Sequence, residues 1–258
     1  MKVRELYSAL EKRIPRSLSC EWDNDGLMCC PDGNREVGKV LIALDVTGEV
    51  VKYARDNGFN VIISHHPFIY KGLKSVDDEG YVSKKLISLI ESGISVMSFH
   101  TRLDAVEGGV NDRLSEIFEL NDVEPLFEDG IPLGRIGKLK SAISAEELAE
   151  RVKKALGAPF VLLSDAGVPA CRVALVGGNG GDFISLARNM GADTFISGRL
   201  DYHTMTDAPD WSSAPVNLIE AGHFYTEHPV CEVLKKFVFE IDASLEAEVY
   251  FSNVIKSI

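Results

Sequence analysis

The sequence is poor in the residues that mark several common protein classes. Its 258 residues include five cysteines and no C-x-x-C pair, which fits a reduced chain of the cytoplasm rather than a disulfide framework. No apolar run approaches the ~20 residues of a membrane-spanning helix. The charged N-terminal segment also lacks the uninterrupted apolar core of a signal peptide. We therefore expect a cytoplasmic protein that does not associate with membranes.

Basic residues are in the minority as well. The chain has 27 Lys and Arg against 39 Asp and Glu, a formal net charge of −12. Nucleic acid requires a basic binding face, so it is not an expected partner. A small anionic substrate remains compatible with this charge, because bound divalent cations would reverse the local field. The sequence also contains no G-x-S-x-G of the serine hydrolases.

Histidine is scarce, with six residues, yet most of them follow predicted core strands. The β-branched run 61–63 predicts a buried strand. It ends in His65 and His66, and Pro67 prevents the strand from continuing. Open α/β sheets place their chemistry at the carboxyl ends of such strands. The pair therefore predicts a functional site, although an isolated His-His is commonly structural.

Two His-x-x-x-carboxylate sequences strengthen this prediction. His100 with Asp104 and His223 with Glu227 share the i, i+4 spacing, which puts both side chains on one face of a helix. We expect the second pair to begin a helix over Phe224 to Lys236. Either pair alone is typical of a salt bridge. Together with the two adjacent histidines they offer more ligands than one tetrahedral zinc needs, which favours two metal ions with open positions for water.

An internal repeat indicates the architecture. Val40 to Ser64 resembles Val173 to Ser197 at a constant offset of 133 residues. The two His-x-x-x-carboxylate sequences repeat in the same order at a slightly different offset. Each copy predicts a strand–helix–strand unit, so we expect an α/β fold of two duplicated lobes with parallel or mixed sheets.

Other stretches carry simpler predictions. Ala145 to Leu156 is an amphipathic helix with Ser144 as its N-cap. The glycine-rich segment Pro125 to Ser141 is interpreted as the crossing into the second lobe. The stretch Ala247 to Val254 alternates as an edge strand. Trp22 lies in a turn-rich segment, where we expect it to pack over the core.

The glycine-rich run Gly177 to Gly181 has two interpretations. It follows a predicted strand, as a phosphate-binding turn at a helix N-terminus does. Phe183 however stands where the dinucleotide fingerprint requires its third glycine, and Asp182 would repel a phosphate. A tight strand-to-helix turn is the favoured interpretation.

These motifs resemble those of the Nif-three-like dinuclear metal-binding family, also known as GTP cyclohydrolase type-two homologues. The resemblance covers almost the whole chain. It rests on Trp22-Asp23-Asn24 with Gly26-Leu27, His65-His66-Pro67, His100-Thr101 with Asp104, and Gly222-His223 with Glu227. It implies two intertwined lobes, the first formed by residues 1–124 with 216–258 and the second by 125–215.

The resemblance also implies a metal site and an assembly. Two divalent metal ions (zinc, iron, manganese, nickel or cobalt) would be held by His65, His66, Asp104, His223 and Glu227, with Asp104 or Glu227 as the bridge. His100 and His203 would lie close by or at open positions. The assembly would be a ring-shaped homohexamer.

Two functions follow as hypotheses. The first is a metal-dependent hydrolase that acts on a nucleotide, either at its purine ring or at a phosphate ester. His100 or His203 would then move a proton, and Lys71 and Arg199 would contact the anion. Arg199 departs from the family pattern, which has an acidic residue there, so substrate preference stays open. The second is a non-catalytic metal-binding or protein-interaction role.

Overall fold

The structure is a computed structural model that describes residues 1–256. The strands are β1 (Gly26–Cys29), β2 (Lys39–Ala43), β3 (Val61–Ser64), β4 (Ser95–Ser98), β5 (Asn121–Glu128), β6 (Ile131–Ile143), β7 (Leu162–Ser164), β8 (Ala170–Asn179), β9 (Thr194–Arg199), β10 (Asn217–Glu220) and β11 (Glu246–Val249). The helices are α1 (Val3–Arg13), α2 (Gly48–Asp56), α3 (Tyr81–Glu91), α4 (Thr101–Ala105), α5 (Val110–Ile117), α6 (Ala145–Leu156), α7 (Ile184–Asn189), α8 (Tyr202–Asp207), α9 (His223–Glu227) and α10 (Val230–Ile241).

The chain forms two compact units. Unit 1 contains Met1–Leu103 and Val230–Lys256, and unit 2 contains Asp104–Pro229. Unit 1 is therefore built from both ends of the described chain. The lobe predicted over 125–215 falls wholly within unit 2, which extends beyond it on both sides. The predicted domain boundaries themselves stay a prediction.

Unit 1 is organised around a five-stranded sheet in the order β1-β4-β3-β2-β11. Strands β4, β3, β2 and β11 run parallel, and β1 runs antiparallel beside β4. Every residue of the central strand β3 is buried, as its apolar β-branched sequence requires. Helix α1 adds one apolar face, formed by Val3, Leu6 and Leu10, to the core of this unit.

Unit 2 contains a six-stranded sheet in the order β5-β6-β8-β9-β10-β7. Its central strands β8, β9 and β10 are parallel, and the β5–β6 hairpin and β7 pair antiparallel on either side. The predicted α/β fold with mixed sheets is confirmed. Within residues 1–256, the helices are all too short or too polar to cross a lipid bilayer.

The two units repeat one backbone arrangement. In unit 1 Val40 pairs with Val61, and in unit 2 Val173 pairs with Thr194, so both partners move by the same 133 residues. The match continues into the third strand of each unit. The pairing of Ser64 with Ser98 corresponds to that of Ser197 with Glu220, where the offset falls to 122. The duplication predicted from the sequence is therefore present in the strand register.

The register refines the second repeat. Since Ser98 corresponds to Glu220, the backbone equivalent of His100 is Gly222 and not His223. Gly222 has a φ of 84°, a left-handed value that suits glycine, and His223 follows it as the first residue of α9. The histidine of the second copy, His223, thus lies one residue after the position that is equivalent to His100.

Two predicted elements are wrong. The segment Pro125 to Ser141 is not a crossing, because most of it belongs to the β5–β6 hairpin. Pro125 lies in the terminal strand of the sheet, where a missing N–H is tolerated. The helix expected over Phe224 to Lys236 is divided into α9 and α10. Pro229 lies at the division, since proline removes a helical hydrogen bond.

Other local predictions have mixed outcomes. Helix α6 has the expected bounds, and the Ser144 hydroxyl accepts a hydrogen bond from the Glu147 N–H at 3.1 Å. The C-terminal strand β11 ends earlier than predicted, at Val249. Trp22 does not pack over the core. It is 63% exposed, because the residues after it, and not the indole, anchor the loop.

Candidate metal centre

Three imidazoles of unit 1 lie together at the carboxyl ends of β3 and β4. The ring centroids of His65 and His66 are 5.0 Å apart, and those of His65 and His100 are 5.3 Å apart. Each residue offers one ring nitrogen within 4.8 Å of the others. Ligand atoms at ~2.1 Å from one cation lie at most ~4.2 Å apart, so this spacing is close to that of a metal site.

His65 is oriented by the backbone. Its side chain is fully buried, and Nδ1 lies 3.0 Å from the carbonyl oxygen of Phe99. A carbonyl can only accept a hydrogen bond, so Nδ1 carries the proton. In the neutral imidazole the lone pair is then on Nε2, the nitrogen that a metal ion would bind.

His66 is oriented by a carboxylate. Its Nδ1 lies 2.8 Å from Oδ1 of Asp45, the second residue after β2. The backbone N–H of His66 donates to the carbonyl of Leu44 at 3.0 Å, which extends the pairing of β2 with β3. A carboxylate–histidine pair of this kind fixes the ring and raises the basicity of Nε2.

His100 is held in the same way by Asp23. Its Nδ1 lies 2.9 Å from Oδ1 of Asp23, whose other oxygen accepts hydrogen bonds from the Thr101 N–H at 3.1 Å and hydroxyl at 2.7 Å. Burial raises the pKa of Asp23, but the bonds and charge of His100 and the bonds from Thr101 outweigh it and lower the pKa to about 2. Asp23 is therefore ionised at neutral pH and can only accept.

A buried ion pair supports this loop. Arg102 is fully buried, and its Nε donates to Oδ2 of Asp25 at 2.8 Å. One Arg102 nitrogen also donates to Glu11 at 3.0 Å, and the guanidinium lies 4.7 Å from the centroid of the Phe99 ring. Asp25 in turn accepts from the His100 N–H at 3.3 Å. The loop that carries Asp23 is thus fixed by the Arg102–Asp25 ion pair, both side chains of which are fully buried.

Unit 2 contains a second set of potential ligands. His223 and Glu227 lie on one face of α9, with Nε2 3.0 Å from Oε2. Asp104, in α4, offers a carboxylate oxygen within 4.8 Å of one from Glu227. Glu227 is buried and His223 is exposed. Two carboxylates this close, with an imidazole beside them, suit a divalent cation, which would neutralise their charge.

Glycines in β8 and β9 make room for α9. A Cβ atom on Gly178 would lie 2.1 Å from Oε1 of Glu227, and Gly178 has a φ of +66°. A Cβ atom on Gly198 would lie 2.4 Å from Oγ1 of Thr226 and 2.8 Å from the Cα of His223. A side chain at Gly198 would therefore displace the backbone of α9, and one at Gly178 would displace the Glu227 carboxylate. The glycines therefore form a seat for the ligand-bearing residues of unit 2.

The repeat shows how the two units differ. The backbone equivalents of Asp45 and His65 in unit 2 are Gly178 and Gly198, since each is 133 residues later. Unit 1 therefore carries its imidazoles on the strand ends themselves. Unit 2 has glycines at the equivalent strand ends. Its potential ligands His223 and Glu227 lie on α9, which packs against these glycines.

The run Gly177 to Gly181 now has a structural role. Its backbone N–H groups already have acceptors: Gly177 donates to Asn111 at 2.8 Å, Gly178 to Thr226 at 3.1 Å and Gly180 to Ser197 at 2.9 Å. These three groups are therefore not directed at a phosphate. Gly177 to Asn179 belong to β8, and the turn into the next helical segment begins only at Gly180. Asn111 also donates to the carbonyl of Asp104 at 3.2 Å, which joins this run to α4.

The remaining candidate residues lie on the surface. His203 is exposed in α8, and its N–H donates to the side chain of Asp201 at 2.9 Å. Arg199 is exposed at the end of β9. Lys71 is exposed in the loop between β3 and α3. Nothing in the contacts of these three residues assigns them a role.

Sequence reasoning missed the groups that orient the imidazoles. Asp23 was named only as part of the Trp22-Asp23-Asn24 motif, and Asp45 was not among the predicted site residues. Asp45 had a detectable signal, because it ends one repeat copy where the other copy has glycine. The contact of Asp23 with His100 had no local signal, since 77 residues separate the two.

Comparison with known proteins was made over the full chain. The model of the family described as Duf34/NIF3 (NGG1p interacting factor 3) matches residues 1–258. A GTP cyclohydrolase 1 type 2 homolog of Clostridium perfringens is 32% identical over 253 residues, which cover 95% of each protein.

Solved structures give the same relationship. The Staphylococcus aureus hypothetical protein SA1388 has a TM-score of 0.89 and 27% identity, and the match covers 100% of this chain and 99% of that chain. Reduced HcgD from Methanocaldococcus jannaschii has a TM-score of 0.84 and 30% identity, over 96% of this chain and 97% of that chain.

Proposed function

The chain belongs to the Duf34/NIF3 family, and from this premise we propose that it is a dinuclear metal-binding protein that works as a metal-dependent hydrolase. Its substrate would be a nucleotide or a related small anion. The observation that carries the proposal is the orientation of three imidazoles. The Nδ1 of each imidazole forms a hydrogen bond with an oxygen atom, which leaves Nε2 as the nitrogen for a metal ion.

The proposed ligands of two divalent cations are His65, His66, Asp104, His223 and Glu227. The first two are the oriented imidazoles of unit 1, and the others are the carboxylates and imidazole of unit 2. Zinc, iron, manganese, nickel and cobalt all accept such a mixed set. His100, which shares the orientation of His65 and His66, is a further candidate ligand.

The proposed chemistry uses the side chains around the cations. When bound, the cations would supply Lewis-acid polarisation of the substrate and activation of a water molecule. His100 is suited to accept or return a proton, because it is an imidazole whose ring Asp23 holds in a fixed orientation. His203 is the second candidate for this step. Lys71 and Arg199 are exposed cations that would attract the anionic group of the substrate.

Metal content is the first test. Protein purified without chelator should contain two divalent ions per chain by elemental analysis. His66→Ala in unit 1 and Glu227→Ala in unit 2 should each lower that content, because each removes a ligand. His203→Ala is the matched control and should keep both ions. Variants that retain both ions while folded would refute the ligand assignment.

Turnover is the second test. A panel of nucleotides and phosphoesters, assayed with and without added metal, should yield a metal-dependent product. His100→Ala should abolish turnover, and the loss should exceed any loss of metal. Metal bound at two per chain with no turnover on the panel would instead favour the non-catalytic metal-binding or interaction role.

We also expect a homohexamer, on the basis of the family resemblance alone. Light scattering coupled to size-exclusion chromatography should give six chain masses. A monomer or dimer at micromolar concentration would remove this part of the proposal without affecting the ligand assignment.

A further inference from the structure

Two large aromatic side chains lie exposed beside the imidazoles of unit 1. Trp22 is 63% exposed and Tyr70 is 51% exposed. Both contact the same ring: the centroid of Trp22 lies 6.2 Å from that of His100, and the centroid of Tyr70 lies 6.5 Å from it. Each meets His100 edge-on, with interplanar angles of 77° and 88°.

The backbone beside each aromatic residue is anchored. Asp23, directly after Trp22, accepts two hydrogen bonds from Thr101. Phe68, two residues before Tyr70, is buried, and its N–H donates to the hydroxyl of Ser98 at 3.2 Å. The two loops are also joined, because the Asn24 side chain donates to the carbonyl of Ile69. The aromatic rings are therefore presented by fixed loops.

The other tryptophan of the chain shows a different environment. The ring of Trp211 is covered by the guanidinium of Arg188, 4.4 Å from its centroid. Trp22 instead leaves most of its surface in water. Stacking of a planar ring on an exposed indole is favourable. Such stacking tolerates different nucleobases, because every base has a π face.

We propose that Trp22 and Tyr70 form a stacking site for a planar heteroaromatic ring, such as a nucleobase, held beside His100. The inference rests on the proposed function and narrows it. A ring bound there lies next to the imidazole that would move a proton, which favours reaction at the ring over reaction at a distant phosphate ester. Lys71, the residue after Tyr70, would contact an anionic group attached to that ring.

The test compares a ring-bearing probe with a ringless one. In a Trp211→Phe background, where Trp22 is the remaining tryptophan, guanosine monophosphate should quench the fluorescence in a saturable manner. Ribose 5-phosphate, which has the same anion and no base, should not. Trp22→Ala and Tyr70→Ala, measured by calorimetry, should each weaken binding of guanosine monophosphate by about 5- to 150-fold. Trp22→Phe should restore most of it.

Controls separate this proposal from the others. Tyr81, another exposed aromatic residue of unit 1, is the matched control, and Tyr81→Ala should bind the probe like the parent protein. All variants should retain the metal content of the parent. Equal binding of both probes, or unchanged binding in Trp22→Ala and Tyr70→Ala, would overturn the stacking site even if the protein is a hydrolase. Ring-dependent binding with no turnover would overturn the hydrolase and leave the stacking site intact.

Discussion

Replacement of Gly178 by alanine should weaken metal binding without unfolding the protein. The new Cβ atom would lie 2.1 Å from Oε1 of Glu227 and 3.0 Å from its Cδ. The carboxylate must therefore move by roughly 1 Å to reach an ordinary van der Waals distance. A displaced supporting contact typically lowers metal affinity by about 10- to 100-fold, and we expect an effect of that size.

The same substitution has a cost in stability. Alanine at a left-handed φ of +66° costs about 1–2 kcal/mol, and crowding against Glu227 adds about 1–3 kcal/mol. The sum, about 2–5 kcal/mol, should appear as a lower urea midpoint. Zinc affinity, measured by calorimetry on protein that circular dichroism shows to be folded, gives the second readout.

Two other glycines provide controls. Gly191 has a φ of +78° and nothing within 4 Å of an added Cβ, so Gly191→Ala carries the backbone cost alone. Gly181 also has nothing within 4 Å of an added Cβ, and its φ is not left-handed. Gly181→Ala should therefore hardly change the urea midpoint or the zinc affinity. If Gly178→Ala bound zinc as tightly as the parent, or if Gly191→Ala lost zinc equally, the proposed seat for Glu227 would be refuted.

Three further changes test the fold that supports the site. Arg102→Met should lower the free energy of unfolding by about 3–5 kcal/mol, since it removes the buried cation that pairs with the buried Asp25 carboxylate; a smaller loss in urea unfolding would contradict this account. Thr47→Ala should cost about 1 kcal/mol in the same assay, because the hydroxyl caps α2, and an unchanged midpoint would show that the cap contributes nothing. Burial raises the pKa of Glu11, but hydrogen bonds from Tyr7 and Arg102 outweigh it and hold the pKa below its ordinary value. The stabilisation by ionised Glu11 is therefore present above the ordinary pKa of a glutamate and is lost as the pH falls through the lowered pKa of the folded protein. The difference in unfolding free energy between the parent and Glu11→Gln should accordingly become smaller between neutral pH and pH 3.

Local sequence patterns were enough to predict the scaffold. The run 61–63 forms a strand parallel to β2, and its counterpart in the second copy forms a strand parallel to β8. Ser144 caps α6 as predicted, because a cap depends on residues three positions apart. The proximity of His65, His66 and His100 was also foreseeable, since neighbouring parallel strands end at the same edge of a sheet.

The failures have different causes, one being contact between distant parts of the chain and another being strand pairing within a hairpin. Trp22 was expected inside because of its size, but hydrogen bonds from the Thr101 segment to the neighbouring Asp23 fix the loop and leave the indole in water. The glycine-rich segment Pro125 to Ser141 was interpreted as the crossing into the second lobe. Pairing along β6 makes it a strand, and only the position of β5 at the sheet edge permits the proline.

The duplicated backbone gives this protein an internal replicate for energetic measurements. Asn60 and Asp193 hold equivalent positions, and each side chain accepts a hydrogen bond from the backbone N–H of an equivalent residue, Gly38 in unit 1 and Cys171 in unit 2. One substitution can therefore be made twice in the same molecule at equivalent backbone positions. The difference between the two results compares a neutral amide with a carboxylate that also accepts hydrogen bonds from the Arg172 N–H and the Thr194 hydroxyl.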